Sequence, residues 1–545
     1  MNRFVKNLVK WLISLVVIAL MYWFMLPPIN IKSREFLSFL TFSVIVCVVI
    51  NAFSQLVDFI KNTSNSDTKV LGLPRINLRS IGRPIKFALI VILAIVVLSA
   101  AASVIGAEIF NAKRYNQLIT MTDGDFTEDI AEINKDQIPV VDKDTASRLG
   151  QRKLGEMSDL VSQFEIQQLY TQINFKGRPV RVTPLIYGDI IKWFNNQSQG
   201  IPAYITVDMT TQETTLVRLE NGIKYSPSEY LMRDLNRSLR FKYPTKIFGN
   251  ISFEIDDNGT PYWVASTVDY KIGYWSGEDI NGAVLLNAVT GESQFYKKDK
   301  IPTWVDQVYD SDMILMQLNY NGKYRSGFLN SIFGQRGVLQ ATDGYNYLAI
   351  NDDVYLYTGM TSVTSDESNV GFVLTNLRTK DTKFYSIPGA EEYSAMSSAE
   401  GQVQHLNYNS TFPLLLNVSN RPTYFMSLKD GAGLVKMYAF VDVNQYQIVG
   451  TGNTVDQARE DYISKLKTEN VSDVPAGETT TINGVIEKIN SAVMDGNTIY
   501  FIKLQGDEQI YSLPISLSDN LVFAEIGQSV ELEMNGKSVN SIKFN

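Results

Sequence analysis

Three long apolar runs open the chain, and from residue 111 onward the pattern changes to short segments in which apolar and polar positions alternate. The runs cover about 8–26, 36–60 and 87–110. A hydrocarbon core of about 30 Å takes roughly 20 helical residues, so each run is predicted to span a membrane. The first reaches that length by including Leu8 and Val9, with Lys6 and Lys10 extending back to the interface. Trp11, Tyr22 and Trp23 lie near its ends, where amphipathic rings favour the headgroup level. Leu26-Pro-Pro-Ile29 is not a small-residue cleavage site, so this run is expected to remain as an anchor.

Basic residues set the orientation. Arg3, Lys6 and Lys10 precede the first run, and Lys61, Lys69, Arg75, Arg79, Arg83 and Lys86 lie between the second and third, against Lys32 and Arg34 between the first and second. The N-terminus and the 61–86 loop are therefore expected in the cytoplasm of a multi-pass cell-membrane protein, with 111–545 extracytoplasmic. Asp58 and Glu108 sit only at span ends, which argues against a transporter or channel.

Residues 111–200 are expected to be a helical, mixed juxtamembrane region. Leu149, Leu154, Met157, Leu160, Val161 and Phe164 recur near a 3.6 period and predict a helix over Asp144–Leu169, capped by Asp142 or Asp144. A short second helix is expected over 184–195. Strand signals dominate afterwards. Gly282-Ala-Val-Leu-Leu-Asn287, followed by a turn and Phe295-Tyr296, can be laid on Gly371-Phe-Val-Leu-Thr-Asn376, a turn and Phe384-Tyr385. Each copy reads as strand, tight turn, strand, and repeated units of this kind are expected to share or stack their sheets. A first unit is expected over 201–330, with a second and a third over 331–466. Residues 467–480, polar and containing Pro and Gly, read as a linker. Five alternating segments over 481–545, with a short insertion before the fourth, are laid out like an OB-type barrel.

The first copy resembles a PepSY domain over about 226–298. The resemblance rests on Asp256-Asp-Asn-Gly259 with Tyr262, and on Asn287-Ala-Val-Thr-Gly-Glu292, where the family usually has Asp in place of Asn287. Related copies fall at about 331–390 and 405–466 and lack the glycine. The resemblance implies an extracytoplasmic α+β module used for binding or inhibition, and it transfers no catalytic residue. The expected fold class is α+β: three N-terminal transmembrane helices, repeated helix-plus-antiparallel-sheet (PepSY-like) units, and a C-terminal OB-like β-barrel.

Charge sharpens the division. Residues 1–109 carry 11 Lys/Arg and 4 Asp/Glu; the remainder carries 49 − 11 = 38 basic and 57 − 4 = 53 acidic residues, a net of −15. Nucleic-acid binding needs clustered Lys/Arg and is not expected. Cys47 is the only cysteine and lies in the second run, so the outer part folds without disulfides, as in many Gram-positive exported domains. His405 is the only histidine, too few for a usual zinc site, and no Ser-His-Asp triad is expected from it. No cofactor or metal centre is expected; the carboxylates nearest to one are Asp123, Asp125, Glu128 and Asp129, read as a solvated loop capping a helix near Thr127. Tyr270, Tyr274 and Trp275 are the binding candidates, with Gly273–Gly277 as an exposed aromatic loop. These features point to a non-enzymatic envelope protein that binds a protein partner or itself. The alternatives are a carboxylate-based hydrolase of envelope polymers, or an accessory subunit of an export or signalling complex.

Overall fold

The computed structural model describes residues 3–64, 82–132, 138–363, 365–468, 479–494, 497–507, 509–535 and 538–544, as two compact units divided after Lys465. The fold is mixed α+β. Helices α1 (Arg3–Met25), α2 (Arg34–Ser64) and α3 (Gly82–Ile105) form from the three apolar runs. Among the described residues, Leu8–Met25 and Ala88–Ile105 are long and apolar enough to cross a membrane. The third helix stops five residues before the expected Phe110. Gly106 breaks it, and the Asn111 amide takes the freed carbonyls of Ile105 (2.7 Å) and Ala107 (3.1 Å). A separate helix, Glu108–Asn116, then follows.

Four antiparallel sheets follow within the first unit. Sheet one is Phe164–Ile166 and Thr171–Phe175, then Arg178–Tyr187, Ile201–Asp208 and Thr214–Ile223. Sheet two is Ile247–Ile255, Pro261–Ile272, Ser276–Asn287 and Ser293–Lys297. Sheet three is Leu339–Ala341 and Asn346–Ile350, Asp353–Ser362, Ser365–Asn376 and Thr382–Tyr385, with Met121–Asp123 added in parallel at its edge. Sheet four is Asn409–Ser410 and Leu414–Val418, Arg421–Lys429, Val435–Asp442 and Val449–Gly452.

One turn recurs in all four. The side-chain Oδ1 of Asp208, Asn287, Asn376 and Asp442 accepts the backbone N–H groups two and three residues on, at 2.8–3.0 Å. These are Asx turns, which short polar side chains form readily. In the first three, the fifth position is left-handed: Gln212 (φ 64°), Gly291 (φ 77°) and Lys380 (φ 68°). The fourth turn is one residue longer, closing from the Asp442 N–H to the Ile448 carbonyl. Gly282 and Gly371 recur for another reason. A Cβ at either would strike the backbone carbonyl of the neighbouring strand's Tyr296 or Tyr385.

Residues 111–200 are thus not mainly helical. Asp142 caps a helix only over Lys143–Gly155, and the expected helix over 184–195 is strand to Tyr187 before a short helix, Ile190–Asn196. The strand Arg178–Tyr187 contains Pro179, Pro184 and Arg181, residues that disguise a strand in a sequence reading.

The sheets close into a ring. Sheets one and two meet along Thr171–Phe175 and Ile247–Ile255. Sheets two and three share a core containing Val264, Ile280, Leu356 and Val373. Sheets three and four share Tyr357, Phe372, Leu415 and Tyr424. The segment 138–144 joins four back to one: the Val140 N–H donates to the Met209 carbonyl (2.7 Å) and the Val140 carbonyl accepts from Ser427 Oγ (3.0 Å). Four-stranded meanders around a centre are the layout of a propeller.

The turn between α1 and α2 lies against this ring. The Ile29 N–H donates to the Pro244 carbonyl (2.7 Å), Asn30 donates to the Thr245 carbonyl (3.0 Å), and Lys32 pairs with Asp269 (2.8 Å). In the second unit, strand Thr479–Met494 bends between two partners. Its first half pairs with Ser529–Asn535 and its second with Asn497–Leu504, while Ile510–Pro514 and Ser538–Phe544 form the edges. Ile486, Ile502, Leu513 and Leu532 fill its core.

Candidate functional site

In each of the four sheets of the ring the first strand is interrupted at the same place. The break falls at 167–170 in sheet one, at a bulge between Phe248 and Ile251 in sheet two, at 342–345 in sheet three and at 411–413 in sheet four. Interrupted strands leave backbone and side chains free to face a ligand rather than a ladder. These breaks surround a central cavity of about 760 Å³, lined from the four sheets by Tyr170 and Gln172, Asn250 and Ser252, Tyr345 and Tyr347, and Phe412 and Phe425. That volume lies in the range of small-molecule sites, roughly 300–1,000 Å³.

Arg181 reaches this cavity from the middle of strand Arg178–Tyr187 and is only 6% exposed. Its Nη1 donates to the Tyr170 carbonyl (3.2 Å) and its Nη2 to Gln172 Oε1 (3.3 Å), while Nε has no partner. Among the described residues no carboxylate forms an ion pair with it. Burial pushes this guanidinium below its ordinary range, against small opposing contributions from Tyr347, Asp142 and Tyr345. A buried cation without a counter-charge costs several kcal/mol. The hydroxyl of Tyr170 is also buried without a partner.

The cavity's two carboxylates are satisfied, and its other cation, Lys143, is exposed. Asp142 Oδ1 caps its helix through the Thr145 N–H (2.9 Å), and Oδ2 pairs with Lys429 (2.9 Å). Burial alone would raise its carboxyl, but the hydrogen bonds from Thr145 and Lys429 hold it below the usual range. Asp144 pairs with both Arg148 (3.1 Å) and Lys429 (3.2 Å).

Behind the cavity wall lies a pair of carboxyls. Gln172 is linked through Gln307, whose Nε2 donates to the Gln172 carbonyl (3.0 Å) and whose N–H donates to Glu254 Oε1 (3.1 Å). Glu254 also accepts from Ser252 Oγ (2.7 Å) and the Asp306 N–H (2.8 Å). Asp306 accepts the Asn174 N–H at Oδ2 (2.7 Å), and its Oδ1 has no partner. Burial pushes Glu254 up to about 7, and burial with the adjacent Glu254 charge pushes Asp306 well above the carboxylate range.

No family model matches this sequence, and no curated protein does. Two solved structures show distant likenesses. A mutant of B. megaterium levansucrase aligns at 10% identity over 76% of this chain and 97% of its own, with a TM-score of 0.17. An ACO/RPE65 chimera aligns at 9% identity over 70% of this chain and 62% of its own, with a TM-score of 0.13. Likenesses of this size carry no argument about fold or activity.

The candidates named from sequence lie elsewhere. Asp125 caps the short helix Phe126–Asp129 through the Thr127 and Glu128 N–H groups, and Asp129 pairs with Lys383. Asp123 ends the edge strand Met121–Asp123, and among the described residues no group of three or more His, Cys, Asp or Glu could hold a metal. Tyr270 packs against the core shared by sheets two and three. Tyr274 and Trp275 occupy a hairpin tip between Gly273 (φ 61°) and Gly277 (φ 62°), where Gly273 abuts Gly106 at the end of α3. The aromatic tip therefore packs by the apolar helices and not in the cavity. His405 lies on an exposed turn, Gln404–Leu406. Sequence reading missed Arg181, whose signal was a lone cation between Val180 and Val182 in an apolar segment.

Proposed function

We propose that this chain is a membrane-anchored binding protein of a bacterial cell envelope, whose outer ring receives its ligand in the central cavity. The observation that carries this reading is the cavity itself, faced by all four interrupted strands and holding an uncompensated guanidinium. The four recurrent turns support reading the ring as four related PepSY-like units, one more than the sequence suggested. The strand order of the second unit is compatible with a small OB-like docking barrel that takes a protein partner or a second copy of the chain. Three membrane crossings put the ring outside, and the contacts of 26–33 with the ring fit that placement, because they require both on one side.

The hydrolase reading would draw on Glu254 and Asp306, but these are 0% and 1% exposed and lie behind the cavity wall. A buried acid out of reach of substrate cannot act as a general acid. Binding is therefore favoured over turnover.

Cysteine labelling tests the arrangement. In a Cys47→Ser background, Ser147→Cys at the cavity is expected to react with a membrane-impermeant maleimide on intact cells. Ser66→Cys, between the second and third runs, is expected to react only after the cells are opened. Labelling of Ser66→Cys from outside would contradict the topology.

A further inference from the structure

The charge state of the cavity says what kind of ligand it suits. Arg181 has five N–H donors, of which two are used by Tyr170 and Gln172, leaving 5 − 2 = 3. The carboxylates Asp142 and Asp144 are answered by Lys429 and Arg148, and Lys143 on the same wall is exposed to solvent. Arg181 is thus the buried cavity cation whose charge remains unanswered. A guanidinium fork matches the two oxygens of a carboxylate, and such charge-assisted pairs are about twice as strong as neutral hydrogen bonds. The remaining wall is mixed, with Leu169, Met209 and Phe412 beside the amide and hydroxyl side chains of Gln168, Asn250 and Thr411. One buried, unpaired positive charge in a wall of mixed polarity suits one negative charge on the ligand.

We propose that the cavity binds a carboxylate-bearing ligand, with the carboxylate seated on Arg181. This rests on the cavity being the ligand site. Two sources supply such chemistry: a free organic acid, and the C-terminal end of a peptide.

Calorimetric titration of the full chain in nanodiscs tests this with three probes: hexanoate, an N-acetylated apolar tripeptide with a free C-terminus, and the same tripeptide amidated. At least one acid is expected to bind, with the amide at least about tenfold weaker than the free peptide acid. Binding by hexanoate identifies a free acid as sufficient; binding by the peptide acid alone identifies a C-terminus. Arg181→Gln is expected to lose acid binding by about tenfold or more, and Arg181→Lys, which keeps the charge but not the fork, to fall between. A thermal melt in the same nanodiscs checks that both variants fold. Ser147→Trp, at a partly exposed helical position on the cavity, is expected to block all binding.

Equal binding of acid and amide, still blocked by Ser147→Trp, would overturn the ligand class while leaving the cavity as the site. Acid binding that survives both Arg181→Gln and Ser147→Trp would place the ligand elsewhere and overturn both readings. No binding by any probe would overturn the ligand class.

Discussion

Asp306→Asn is expected to stabilise the chain at pH 8 by about 1–4 kcal/mol, and to change it little at pH 4.5. Asp306 and Glu254 are both buried, and each is pushed upward, so the folded state holds protons that the unfolded chain releases. Where the folded state binds more protons, stability falls as pH rises. The fall begins above the ordinary carboxylate values, 3.8 for Asp306 and 4.5 for Glu254, and continues through about 7, where Glu254 ionises in the fold. For Glu254 alone this amounts to about 3 kcal/mol, at about 1.4 kcal/mol per unit. Asparagine at 306 keeps an oxygen to accept the Asn174 N–H and removes the charge whose burial is costly. Melting curves of the full chain at pH 4.5 and pH 8 check this. A gain equal at both pH values would mean that the substitution acts by packing and not by charge.

Asp442→Ala is expected to destabilise by about 3–5 kcal/mol, far more than the equivalent changes at Asn287 or Asn376. All three side chains hold an Asx turn through two hydrogen bonds, about 1 kcal/mol apiece, and Asn376 makes one more, to Asp353 (2.9 Å). Asp442 does more. Its other oxygen accepts from Arg421 Nε (2.9 Å) and from the Tyr462 hydroxyl (3.0 Å), with side-chain exposures of 1% for Asp442 and 10% for Arg421. Removing it leaves a buried guanidinium without its carboxylate, while the Tyr462 hydroxyl keeps only Thr423 Oγ1 (3.0 Å). Urea unfolding of the three alanine variants side by side measures the difference; equal costs would contradict it.

The recurrent unit was legible in the sequence only where its turn was written with glycine or closely similar neighbours. Asn287-Ala-Val-Thr-Gly-Glu292 announces the left-handed position, and Asn376-Leu-Arg-Thr-Lys-Asp381 could be laid upon it. Asp208-Met-Thr-Thr-Gln-Glu213 makes the same turn with Gln212 at that position, so it passed unread. The strand before it was hidden too, because Pro179, Arg181 and Pro184 interrupt its apolar run. The cavity was beyond sequence reading for a different reason. Its wall joins Arg181 to Phe412 and Phe425, over two hundred positions away, and nothing local marks them as neighbours. The aromatic hairpin tip shows the reverse: it was conspicuous in sequence, and its location follows from Gly106 and Gly273 packing together.

Native mass spectrometry of the full chain, extracted from the membranes of its own cells, tests the central claim most directly. Wild-type protein is expected to carry an added mass that is released on unfolding, and Ser147→Trp, folded but with its cavity filled, is expected to lack it. The same added mass on both proteins, or on neither, would contradict the cavity as the ligand site.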